Sequence, residues 1–93
     1  MGDKVKRAWI IQGRVQGVGY RFFAQQQALA LQITGCVRNA DDGSVYCLAE
    51  GSGEDVDIFF LRLRQGPPHA VVESIEETSP PADSTYNSFV IKP

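Results

Sequence analysis

The sequence predicts an α+β fold in two layers, an antiparallel sheet with two helices on one face. Two segments place apolar residues at helical spacing among good helix formers. The remaining segments are short runs rich in β-branched and aromatic residues. Their order is strand, helix, strand, strand, helix, strand, with a short strand at the end. At 93 residues the chain has the length of a single domain closing one core, and residues 1–93 are expected to form it.

Each element has its own justification. Residues 7–13, RAWIIQG, mix aromatic and β-branched types and stop at glycine, as a strand does. Residues 21–32, RFFAQQQALALQ, form a helix with Ala24, Ala28 and Leu31 along one face. Its two phenylalanines, Phe22 and Phe23, are assigned to the core with Trp9, Phe59 and Phe60. ITGCVRNA and SVYCLAE are strands joined through Asp41-Asp42-Gly43, a hairpin signal. If Val37 and Val45 both face the core, this turn has three residues and Gly43 is left-handed. Cys36 and Cys47 then lie on opposite faces of the sheet and cannot form a disulfide, whereas a two-residue loop would put them opposite each other; free thiols are expected.

The second helix carries the stripe Val56, Phe59, Phe60 and Leu63 at positions i, i+3, i+4 and i+7. Ser52 with Asp55 resembles a capping box at its start, and Gly66-Pro67-Pro68 stops it. Residues 70–78, AVVESIEET, alternate apolar and acidic residues, a strand whose Glu73, Glu76 and Glu77 guard a wet edge. SPPADST is a surface loop and YNSFVI the last short strand. Right-handed crossovers place both helices on one side, giving the β-α-β-β-α-β two-layer ferredoxin-like sandwich. That architecture names no function.

Composition narrows the partners. A formal charge of −2 and a pI near 5.2 disfavour nucleic acid, which needs a basic footprint. No run approaches the ~18 apolar residues of a membrane span. The N-terminus lacks the apolar core of a signal peptide. Lys6 stands where a myristoylated Gly2 requires Ser or Thr. The expectation is a complete, cytoplasmic chain with reduced thiols, monomeric by default. One histidine, His69, and two cysteines disfavour both a zinc cluster and a histidine triad.

The chemistry concentrates in GRVQGVGYR, residues 13–21. Lying between a strand and a helix, its glycines at 13, 17 and 19 let successive amides converge at the helix N-terminus, an anion cradle. Arg21 adds a fork matched to phosphate oxygens. An arginine at that helix end is unfavourable by ~0.3–1 kcal/mol unless an anion offsets it. The spacing fits neither a Walker loop nor a dinucleotide fingerprint. Arg14 and Arg38 are read as ordinary solvated arginines.

Gly13-Arg14-Val15-Gln16-Gly17-Val18-Gly19-Tyr20-Arg21 resembles the first signature of the acylphosphatases. Gly35, Val37, Asn39, Gly43, Val45 and Gly51 resemble the second, and Gly66-Pro67-Pro68-His69-Ala70-Val71-Val72 is also similar to the family. The resemblance spans about residues 7–91. It implies the ferredoxin-like fold and hydrolysis of the carboxyl–phosphate bond of small acyl phosphates, such as acetyl phosphate or 1,3-bisphosphoglycerate, without metal or cofactor. It implies two catalytic residues, Arg21 binding phosphate and Asn39 positioning the attacking water. It also implies that the amides of Val15, Gln16, Gly17, Val18, Gly19 and Tyr20 grip the phosphoryl group, with inorganic phosphate or sulfate as an alternative bound anion. In the expected topology the first and second strands end at the same sheet edge, with Asn39 on the helix-covered face there.

Two other readings stand beside this one. The chain resembles phosphate-handling modules within larger carbamoyl-phosphate-using maturation proteins, but carries no zinc-finger cysteines. A non-catalytic ferredoxin-like binding or regulatory domain is opposed by the net acidity and by the Arg21/Asn39 pair. The sequence departs from the family pattern at Cys36, usually aromatic, at Gln32, often glycine, and at Lys92-Pro93, where a tyrosine is common.

Overall fold

Alternation along the first strand sets the two faces of the sheet. In the computed structural model, which describes residues 3–93, Trp9 and Ile11 point into a layer covered by helices while Ala8 joins a smaller cluster on the other face. Met1 and Gly2, on which the myristoylation reading rests, lie outside the described residues. The elements are β1 (Lys4–Arg14), α1 (Tyr20–Ala30), β2 (Thr34–Asn39), β3 (Val45–Ser52), α2 (Gly53–Gln65), β4 (Val71–Thr78) and β5 (Phe89–Ile91). The sheet order is β4-β1-β3-β2-β5. The first four strands are antiparallel to their neighbours, as expected, whereas β5 joins β2 in parallel and makes the sheet mixed.

The helices meet the sheet through the faces their spacing selects. Ala24 and Ala28 of α1 and Val56, Phe59 and Leu63 of α2 are buried, with Leu31 and Phe60 packed against that core. Phe59 stacks edge-on against Phe89 of β5 with centroids 5.7 Å apart. The Ser52 side chain accepts from the Asp55 amide at 3.1 Å and caps α2. Gly66 closes that helix through its amide to the Arg62 carbonyl.

Phe22 departs from its core assignment and is 61% exposed. The buried positions of α1 are Tyr20, Ala24 and Ala28, and Phe22 lies two residues from that row, on the opposite side of the helix. The last strand is also shorter than YNSFVI. Tyr86 instead packs against the small cluster on the helix-free face, with Val90. Glu77, read as a solvated edge residue, binds Arg7 through both carboxylate oxygens at 2.8 and 3.1 Å, and this contact holds its carboxyl below the usual range.

Hairpin parity follows the three-residue alternative. Ala40 and Ser44 pair across the turn, Gly43 has φ 94°, and the Asp42 carboxylate accepts from the Ser44 amide and hydroxyl. Cys47 belongs to the main core and Cys36 to the opposite cluster, both as free thiols. Burial pushes the Cys47 thiol well above its ordinary value. Two thiols are therefore expected to titrate in denatured, unreduced protein, while in native protein Cys47 reacts slowly if at all.

Helix α1 ends in a Schellman arrangement, with Ile33 N–H donating to Ala28 at 2.9 Å and Gln32 N–H to Leu29 at 3.3 Å. Gln32 sits at the left-handed position with φ 57°, where glycine carries no Cβ penalty. Replacing Gln32 by glycine is expected to raise stability by up to about 1 kcal/mol, since the relieved strain exceeds glycine's added chain entropy. A urea unfolding midpoint measures the gain.

Candidate active site

The turn between β1 and α1 builds the site from backbone. Val15 is buried beneath it, and the chain then reverses through Gly17 at φ 75° and Gly19 at φ 77°. These left-handed angles alternate with ordinary residues, the geometry in which amides converge. Gly19 is the N-cap of α1, makes no side-chain cap, and the first turn holds no acid. Among the described residues, none of the amides from Val15 to Gly19 donates to a backbone acceptor. The positive end of α1 is thus available to an anion.

Three side-chain contacts hold this turn in place. Gln16 Nε2 donates to the Ala40 carbonyl at 2.8 Å and the Ser44 carbonyl at 2.9 Å, tying the loop to the β2–β3 hairpin. The buried Tyr20 hydroxyl donates to the Leu63 carbonyl at 2.6 Å, fixing the start of α1 against α2. Burial pushes its phenol far above the ordinary value, so it remains a neutral donor. Arg21 Nη1 donates to the Lys92 carbonyl at 2.9 Å, and the Lys92 amide donates to Val37 at 2.8 Å. The segment after β5 thereby orients Arg21 from the strand that ends in Asn39.

Arg21 and Asn39 open onto one cavity of about 220 Å³ with Gly17 and Gly19. Val15, Tyr20, Phe22 and Ile91 complete its wall, and no carboxylate or histidine lines it. With one guanidinium hydrogen bond spent on Lys92, the other Arg21 donors remain for a ligand. Asn39 terminates β2 on the same face as Val37, as its parity predicts. Gln16 and Val18 are not among the wall residues; Gln16 contributes its tie to the hairpin instead, and Val18 packs on the core. Arg14 and Arg38 are exposed, the latter over the Tyr46 ring on the helix-free face. His69 is exposed in the turn before β4. Among the described residues no three His, Cys, Asp or Glu side chains converge on a metal site.

Two contributors escape sequence reasoning. The Gln16 side chain had a signal, a lone long amide within an otherwise apolar and glycine-rich turn. Lys92 had none, because it acts through a main-chain carbonyl that any residue supplies.

A sequence model described as Acylphosphatase matches residues 7–91. The chain belongs to the acylphosphatase family. An acylphosphatase of Mannheimia succiniciproducens is 39% identical over 88 residues, covering 95% of this chain and 98% of the relative. The crystal structure of acylphosphatase from Bacillus subtilis superposes with a TM-score of 0.87 at 36% identity, over 94% of this chain and 97% of that one. The T. kodakarensis HypF structure is also similar, with a TM-score of 0.82 at 32% identity, over 95% of this chain but 12% of that protein. Family membership makes this chain a hydrolase, an acylphosphatase, and the non-catalytic binding-domain reading is not favoured.

The Gln16 tie generates a test of how the cradle is held. Gln16→Ala is expected to lower stability by about 1 kcal/mol, the worth of its hydrogen bonds to two hairpin carbonyls. It is also expected to weaken phosphate binding several-fold, measured by calorimetric titration, because the turn loses its anchor.

Proposed function

We propose that Arg21 and Asn39 are the catalytic pair of an acylphosphatase that cleaves the carboxyl–phosphate bond of small acyl phosphates. Carrying this reading is one observation, the shared cavity onto which both residues open with the glycine turn. The amides of Val15 to Tyr20 and the Arg21 guanidinium take the equatorial phosphoryl oxygens. Donors of this kind contribute about 2.7–4 kcal/mol each where charge develops. Inorganic phosphate or sulfate occupies the same cradle as product or mimic.

Asn39 holds a water in line with the carboxylate leaving group, accepting one of its protons in a hydrogen bond without removing it. The leaving group is already activated, so no strong acid is needed. With no carboxylate or histidine in the wall, a phosphoryl oxygen of the substrate takes the water's proton. The bond to the carboxylate breaks as the water oxygen bonds phosphorus, and the products are carboxylate and inorganic phosphate. Supported by the single continuous sheet, the chain functions as one domain over residues 1–93. We read it further as a cytoplasmic monomer with no nucleic-acid or membrane partner, the net charge of −2 disfavouring nucleic acid. No helix among the described residues is long and apolar enough to cross a membrane.

Hydrolysis of benzoyl phosphate in the presence of a chelator tests the assignment. Asn39→Ala is expected to lose at least about 100-fold in kcat while still binding phosphate. Arg21→Gln is expected to lose phosphate binding as well. Full activity in both variants would reject the site. The pH–rate profile is expected to show no limb from an enzyme carboxylate or histidine.

A further inference from the structure

A wider cavity lies on the other side of the sheet, away from the cradle. It measures about 460 Å³, against about 220 Å³ for the cradle, and falls within the range of small-molecule sites. Its floor is the helix-free face of the sheet, where Ile10, Cys36 and Leu48 present apolar surface. The segment between β4 and β5 forms its roof. That segment is fastened by Lys6 Nζ to the Ser84 carbonyl, by the Gly35 amide to the Ser88 carbonyl at 3.1 Å, and by Tyr86 packed on the sheet. The cavity is therefore framed by ordered contacts on both sides.

Its charge is one-sided. Arg38 lies over the Tyr46 ring with 4.9 Å from guanidinium carbon to centroid, and Lys92 Nζ lies 5.2 Å from the Tyr86 centroid. A phenol face steadies a cation but leaves its formal charge unneutralised. Among the described residues, neither Arg38 nor Lys92 forms an ion pair. The chain has 11 acidic residues and a net charge of −2, yet no acidic side chain lines this cavity. Two cations over an apolar floor, beside two aromatic rings, set a positive potential over this cavity.

We propose that this cavity is a second ligand site, for a small organic anion with a planar apolar body and one carboxylate. The carboxylate meets Arg38 and Lys92, while the body lies on Ile10 and Leu48 beside the tyrosine rings. A single negative charge suits the apolar floor because it carries less desolvation cost than a dianion. The site shares no wall residue with the cradle and touches its framework only through Lys92, whose carbonyl accepts from Arg21 while its side chain lines this cavity.

Titration of isotope-labelled protein with 2-naphthoate, followed by amide shifts, tests the proposal with inorganic phosphate at saturation to occupy the cradle. Saturable shifts are expected at Arg38, Tyr46, Leu48, Tyr86 and Lys92, and phosphate leaves them in place. Neutral 2-naphthamide is expected to bind at least about tenfold more weakly, as are Arg38→Gln and Lys92→Gln with 2-naphthoate, since each change removes a charged contact. The dispersion of the variants' spectra shows that they fold, and the amide analogue tests the charge requirement without any mutation. No saturation up to the solubility limit would overturn the site. So would shifts confined to residues 15–21 and abolished by phosphate, or equal affinity for the acid and its amide.

Discussion

Everything at the cradle depends on β3 lying between β1 and β2, antiparallel to both. Two ladders, Lys4–Ile11 on one side and Thr34–Asn39 on the other, fix β1 and β2 in the same direction. Both strands then end at one edge of the sheet. β1 delivers the glycine turn there and β2 delivers Asn39. Removing this constraint would leave a glycine turn and a polar residue with no reason to meet.

The rest of the molecule stiffens that edge from three directions. Tyr20 pins the first helical residue to α2, Gln16 joins the turn to the hairpin, and the segment after β5 steadies Arg21 through Lys92. Each contact ends on a main-chain carbonyl, so the scaffold holds the side chain without adding a competing charge beside the anion site. The core below supplies the mass against which these contacts bear, with Trp9 and Phe59 fully buried between sheet and helices. The two faces of the sheet consequently serve different ends. The helix-covered face and its edge carry the proposed phosphate site, and the open face carries a wider cavity with uncompensated cations.

Much of this was legible in the residues. The aromatic and β-branched residues of RAWIIQG marked a strand, and the four-residue stripe of α2 reported which face that helix buries, because burial of apolar surface is what holds these elements in place. The Asp41-Asp42-Gly43 turn marked the hairpin, and its register, which separates the cysteines, followed only with Val37 and Val45 both on the core face. Phe22 was misplaced because an aromatic side chain says that surface will be covered only when its helical phase agrees. Its phase points away from Tyr20, Ala24 and Ala28 and toward the wall of the cradle. Tyr86 was read as strand for a similar reason. β propensity marks residues that suit a sheet surface, and this one packs on the sheet without joining its ladder.

By itself the sequence determined the order of elements, the faces they bury, the glycine turn before a helix, and the family signatures around Arg21 and Asn39. These are local properties, set by side-chain type and spacing within a few residues. Only the tertiary structure decided that β5 enters parallel to β2, that Gln16 reaches Ala40 and Ser44, and that the Lys92 carbonyl supports Arg21. It also decided that Arg38 and Lys92 face one cavity without a carboxylate. Those facts join residues 24 to 71 positions apart in the chain. Their meeting is fixed by sheet order and by carbonyls that every residue possesses, and no local pattern records either.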